Sequence, residues 1–148
     1  MKIKRTAIIS LALSLFIGCL HAQVKPAKKP VHHSKTSSVA RGKIIYTSIC
    51  LACHMADGGG VPTMNPPLIN TEYVLGDKTR LIKIVLNGFK EDVEINGQKF
   101  SNSMTPHSDL KDRQIADVLT YVRKSFGNKA SAVTVTEVKK ARAENITK

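Results

Sequence analysis

Two cysteines and a histidine stand together at Cys50-Leu51-Ala52-Cys53-His54, and their spacing is chemically specific. Residues three apart lie about one helical turn from each other. Both thiols can therefore reach one edge of a planar macrocycle and add to its two vinyl groups, while the imidazole of His54 projects under the ring to ligate iron. Cys-x-x-Cys-His is the attachment sequence for c-type haem. Other uses of a Cys-x-x-Cys pair fit badly. A thioredoxin-like redox pair expects a β-α-β surround, whereas here a helical pattern leads in and a Gly/Pro-rich loop leads out. A zinc site needs further Cys or His at matched spacing, and two cysteines are too few for a disulfide scaffold.

A haem iron held by His54 needs a sixth ligand or an open site. After the attachment sequence the candidates are Met55, Met64, Met104 and His107. Met55 adjoins His54 and cannot reach the other face of a ring; Met64 belongs to a loop better placed to cover the haem edge. Met104 and His107 remain, both close to Pro106, which stiffens a turn before the last strong helical pattern.

The compartment agrees with this chemistry. Lys2, Lys4 and Arg5 precede an apolar run from Ala7 to Gly18, too short to span a bilayer comfortably, which reads as a signal peptide over residues 1–22. Cleavage after Ala22 competes with lipoprotein processing at Cys19. Either route removes or caps that thiol, so the expected location is the periplasm, with a membrane attachment only if Cys19 is lipidated. Residues 23–38, rich in Lys, Pro and Ser, have little to bury and read as a flexible linker; His32 and His33 lie in it as bystanders. The chain's net charge of +12 sits mostly outside the domain, because residues 39–127 carry 11 basic and 9 acidic groups. Nucleic-acid binding has no other support: there is no aromatic-and-basic patch and no recognition helix.

Several elements must position these groups. Gly42, Ile44, Ile45, Tyr46 and Ile49 lead into Cys50 in a helical pattern, with Gly42 an oddity that costs about 1 kcal/mol against Ala unless another helix approaches closely. Residues 55–71 hold three consecutive glycines and three prolines, which predicts an irregular loop. Asp77 is an N-cap for a helix carrying Leu81, Ile82, Val85 and Leu86 and ending near Gly88. Asn96-Gly97 predicts a hairpin within Val93–Phe100. Ile115, Val118, Leu119, Val122 and Phe126 form one apolar helical face that Gly127-Asn128 terminates. The extension 128–148 predicts a short helix after Thr136, a candidate N-cap, through Val138 and Ala141.

Taken in order, Gly42-x-x-x-Tyr46, Cys50-x-x-Cys53-His54, Pro66-Pro67-Leu68, Met104-x-Pro106 and the Ile115–Arg123 helix resemble a class I cytochrome c domain of the small bacterial kind, over residues 39–127. The resemblance implies an all-α cytochrome c fold, three to four short helices around one covalently bound haem c, with a small β-hairpin before the sixth ligand. It implies that Gly42 and Tyr46 pack against Val118 and Tyr121, that His54 and Met104 ligate the iron, that the Pro66 carbonyl accepts the His54 Nδ1 proton, and that Leu68 touches the haem. The region from the hairpin onward is similar to cytochrome domains serving periplasmic quinoprotein dehydrogenases, copper nitrite reductases or terminal oxidases. One departure lies at the last helix: Lys111 stands where the family often has Ser, so Ser108 or Asp109 is expected to cap it, or the first turn to fray.

The expected function is that of a monomeric carrier, not an enzyme, passing single electrons between redox partner proteins. The alternatives are a peroxidase-like enzyme or a haem sensor working at an open sixth position; an enzyme would need distal acid–base groups, and only His107 is conveniently placed. The chain has no Trp, four Phe and three Tyr, a thin apolar core that a buried porphyrin would fill at about 25 cal/mol per Å² removed from water. Chain produced without haem is therefore expected to be unfolded or molten, and a near-ultraviolet circular dichroism spectrum as strong as that of loaded protein would refute this.

Overall fold

The computed structural model describes residues 36 to 146; the expected signal peptide, Cys19, His32, His33 and the linker up to residue 35 lie outside the described residues. Ser37, expected in the linker, instead starts the fold. Its hydroxyl accepts from Ala40 N at 3.2 Å, capping α1 (Ser38–Ile45). The chain then runs through a π-helical turn (Tyr46–Cys50), in which Leu51 N–H reaches back to Tyr46 O, into α2 (Leu51–His54). The expected helix runs through the cysteines and ends at His54, next to Cys53.

The cost of Gly42 is explained by α5 (Asp112–Lys124). A Cβ at Gly42 would collide with the carbonyl oxygen of Asp117 and stand 2.7 Å from the Cβ of Tyr121, so the two helices approach as only glycine permits. Arg41 beside it forks onto Asp117, with Nε and Nη2 at 2.6 and 2.7 Å from the two carboxylate oxygens. Tyr46 is buried and stacks at 5.3 Å on both Tyr121 and Phe126.

Between these helices the local signals are met in turn. A short α3 (Glu72–Leu75), which no local signal announces, is capped by the Thr71 hydroxyl. Asp77 Oδ1 accepts from Arg80 N at 2.6 Å and starts α4 (Lys78–Asn87), which buries Leu81, Ile82, Val85 and Leu86. The hairpin pairs β1 (Val93–Ile95) antiparallel with β2 (Gln98–Phe100), Val93 opposite Phe100 and Ile95 opposite Gln98. Asn96 and Gly97 have φ of 54° and 77°, as a two-residue turn of matching twist requires. At α5 neither Ser108 nor Asp109 caps: Lys111 is the N-cap residue, and the Gln114 side chain reaches back to accept its N–H at 2.9 Å.

The architecture is all-α with one small hairpin, as expected, but it extends past residue 127. Helix α6 (Val135–Ile146) is capped not by Thr136 but by Thr134, in a reciprocal box: Glu137 N donates to Thr134 Oγ1 at 3.2 Å, and Thr134 N to Glu137 Oε2 at 2.7 Å. Val138 and Ala141 are buried in the same core as α4 and α5. The segment leading into α6 is held by Arg123, 3% exposed, whose Nε donates to Ser131 O at 2.8 Å while Nη1 reaches the carbonyls of Val74 and Gly76. Carbonyl dipoles satisfy this buried cation, and burial pulls its pKa down.

The close crossing at Gly42 gives the first structural test. Gly42→Ala is expected to destabilise the protein by about 1–3 kcal/mol, the usual cost of forcing extra volume between packed elements. Denaturant unfolding reads this directly, and a neutral or stabilising result would show that α1 and α5 have room to part.

Candidate haem site

The attachment sequence ends the α1–π–α2 segment. Cys53 is exposed and Cys50 partly buried, and the two form no disulfide with each other. Burial, and secondarily the neighbouring Cys53, pushes the Cys50 thiol up to about 11, so it remains protonated near neutrality. His54 Nδ1 lies 3.1 Å from the carbonyl oxygen of Pro66. A carbonyl can only accept, so the proton sits on Nδ1 and leaves Nε2 with its lone pair free. Burial depresses the His54 pKa, the Pro66 bond opposing it, and the balance favours the neutral imidazole that a metal requires.

Pro66 is brought there by the Gly/Pro loop, which is irregular but well bonded. Gly60 N donates to His54 O at 3.2 Å, Val61 N to Asn65 O at 2.8 Å, and Leu68 N to Gly58 O at 2.8 Å. Asn128 fastens the loop from behind. Its Nδ2 donates to Leu68 O and Val122 O, both at 2.8 Å, and its Oδ1 accepts from Asn70 N at 2.8 Å. In the sequence Asn128 reads only as a helix stop; its bonding role depends on partners 6 to 60 residues away, which no local pattern signals.

Met104 comes from the other side of the chain's path. It forms a two-way backbone bridge with Phe89: Met104 N to Phe89 O at 2.7 Å and Phe89 N to Met104 O at 3.0 Å. Gly88 makes this pairing fit. Its φ is 73°, and a Cβ there would strike Met104 O and stand 2.9 Å from Pro106 N. Beyond Pro106, His107 N donates to Val85 O at 2.8 Å. Asn102 N reaches Met64 O at 3.2 Å, tying the irregular segment before Met104 to the Gly/Pro loop.

These elements enclose a cleft of about 260 Å³. Cys50, Cys53, His54, Pro66, Leu68 and Met104 all line it, joined by apolar side chains including Val85, Phe89, Phe100, Leu119 and Val122. The structure thus brings every predicted site residue together. It also admits His107 to the lining and leaves out Met55 and Met64, which are 44% and 48% exposed. Among the described residues no three His, Cys, Asp or Glu side chains gather to hold a bare ion. An apolar cleft with two thiols, two imidazoles and one thioether suits instead a metal that arrives inside an apolar ring.

Fold and cleft together define a small helical haem-binding domain. The chain belongs to the cytochrome c family, whose pattern matches residues 39–126; as a member it carries haem c, covalently bound with its iron, and works in electron transfer. It is 33% identical over 117 residues to cytochrome c-552 of Thermus thermophilus, an alignment covering 73% of this chain and 88% of that one. It is 37% identical over 110 residues to the cytochrome c subunit of the quinone alcohol dehydrogenase of Gluconacetobacter polyoxogenes, covering 72% of this chain and 23% of the relative. The gluconate 2-dehydrogenase cytochrome c subunit of Pantoea cypripedii is 34% identical over 107 residues, with 70% and 24% covered. The chain thus spans most of the first protein and about a quarter of each dehydrogenase subunit.

Removing the three Asn128 bonds would orphan buried groups on the loop that carries Pro66 and Leu68. Asn128→Ala is expected to lower stability by about 2–3 kcal/mol, seen as a reduced denaturant midpoint at unchanged slope. A shift of only a few tenths would mean that the loop holds its shape without it.

Proposed function

We propose that the chain is an exported, monomeric single-haem carrier that passes one electron at a time between redox proteins. In this reading Cys50 and Cys53 would form the thioether links, and His54 and Met104 would hold the iron. The observation that carries it is the meeting of Met104 with the Cys50-x-x-Cys53-His54 turn on one apolar cleft. When bound, haem supplies an iron that alternates between two oxidation states one electron apart.

The residues supply the rest. Pro66 fixes the tautomer and orientation of His54, so that Nε2 faces the cleft without a rotation to be made at each turnover. The Phe89 bridge holds the Met104 backbone, and its thioether, a soft ligand, favours the lower oxidation state over what a second imidazole would give. Apolar walls exclude water and keep the surroundings of the metal unchanged as its charge alternates. With His54 and Met104 both given to the iron, no position on it would be left for a substrate, which favours a carrier over a peroxidase-like enzyme or a sensor.

Contact with donors and acceptors is assigned to the rim on the side where Cys53 is exposed, with Val61, Thr63 and Met64 as its candidate residues, in small and short-lived encounters of the kind redox proteins make. The names of the dehydrogenase subunits among the relatives support a dehydrogenase as one such partner. No helix among the described residues is long and apolar enough to cross a membrane; attachment to one would depend on Cys19.

The test is the absorption spectrum of the oxidised, loaded protein. A sulfur-to-iron band is expected in the wild type and is expected to vanish in Met104→Ala. Its survival in the variant would move the role to another methionine. Absence of the band from the wild type, together with rapid carbon monoxide binding by reduced protein at neutral pH, would favour His107 at a distance and an open site.

A further inference from the structure

Helix α6 lies beyond the residues matched by the family pattern, yet its side chains converge on the backbone that carries Met104. We propose that Arg142 of α6 is a positioning residue for the sixth ligand, setting how readily Met104 leaves the iron; this rests on the Met104 reading above.

After the Phe89 bridge, the chain from Thr105 to Lys111 has no helix or strand to hold it. His107 N is tied to Val85 O, Leu110 N closes a turn onto His107 O at 3.2 Å with its side chain buried in the core, and the carbonyls of Ser108 and Leu110 are held by a single guanidinium. Arg142 Nη1 donates to Ser108 O at 2.9 Å, Nη2 to Leu110 O at 2.7 Å, and Nε to Asp112 Oδ1 at 2.8 Å. All three nitrogens of a rigid planar fork are thus used, fixing three acceptors relative to one another as a flexible amine could not.

One turn further along α6, Asn145 exchanges two side-chain hydrogen bonds with Asn87, at 2.5 and 3.0 Å. Asn87 is the last residue of α4 and precedes Gly88 and Phe89. Helix α6 therefore grips the chain on both flanks of the Phe89–Met104 bridge, two residues before Phe89 and four to eight residues after Met104. Its own footing is secure, since Val138 and Ala141 are buried in the core.

Release of Met104 requires its strand to move away from Phe89, and the residues that follow must yield with it. Charge-assisted bonds to Ser108, Leu110 and Asp112 raise the cost of that motion. A ligand competing for iron should then need a higher concentration than it would without them.

The experiment uses the full-length, haem-loaded, oxidised protein titrated with imidazole, following loss of the sulfur-to-iron band, with global stability measured in parallel. Arg142→Ala is expected to lower the imidazole concentration for half-displacement by about tenfold. Arg142→Lys, which keeps the charge but not the fork, is expected to fall between that value and the wild type. Lys78→Met is the control: Lys78 Nζ holds the start of the same extension, at Ala132 O and Glu137 Oε1, away from the Met104 segment. It is expected to lose stability and leave the midpoint near the wild-type value. Should Arg142→Ala fail to yield loaded protein, the comparison of Arg142→Lys with Lys78→Met decides. Unchanged midpoints in both Arg142 variants, or an equal fall in Lys78→Met for equal loss of stability, would overturn the proposal. A wild type lacking the band, or Met104→Ala retaining it, would overturn the ligand assignment and this inference together, so the two failures are told apart.

Discussion

The site depends on how closely α1 can approach α5. The floor of the cleft is the apolar face of α5, where Val118, Leu119 and Val122 line it, and the cysteines and His54 hang from the far end of the segment that α1 begins. The distance between these two parts is set where Gly42 meets the Asp117 carbonyl, and a larger residue there would lift the whole attachment turn. The Arg41–Asp117 fork and the Tyr46, Tyr121 and Phe126 rings fix the rotation of the crossing on either side. The π-helical turn matters for the same reason. Residues four apart drift by about 40° around an α-helix, and a wider turn between Tyr46 and Cys50 takes back part of that drift. The stripe that meets α5 at Gly42 and Tyr46 can then continue into the stripe that meets the cleft at Cys50 and His54.

Much of this is legible in the sequence because it is encoded locally. Asp77 caps α4, Asn96-Gly97 turns the hairpin, and the apolar face of α5 is spaced as a buried helix must be. In each case the informative residues lie within a few positions of their effect. The family resemblance adds the long-range pairings of Gly42 with α5 and of Pro66 with His54, both of which the folded chain makes.

What the sequence does not disclose shares one character. The π-helical turn has no composition of its own. Arg123 and Asn128 look like ordinary polar residues near a helix end and Arg142 like one within a helix, and their roles follow only from carbonyls brought to them by folding. The extension after residue 127 reads as peripheral because two small buried residues, Val138 and Ala141, make a weak periodic signal, although they complete the core. The cap falls at Thr134 and not at Thr136 for a related reason: both are threonines, and the deciding partner, Glu137, stands at the third helical position only for the first.

The two sides of the cleft are built on different principles. On the His54 side, the ligand candidate ends a continuous helical segment, its ring is pinned by Pro66, and the two cysteines beside it belong to the same turn. Little can move there without unwinding helix. On the Met104 side, one two-residue bridge to Phe89 does the local work, and the rest of the restraint is applied from outside, by the Val85 carbonyl of α4, the Met64 carbonyl of the Gly/Pro loop and the Arg142 side chain of α6. A wall held locally is fixed by the fold itself, whereas a wall held by remote contacts can be adjusted one contact at a time. Variation in the grip on a metal within this architecture should therefore accumulate in the elements behind Met104, leaving the attachment turn and its proline constant.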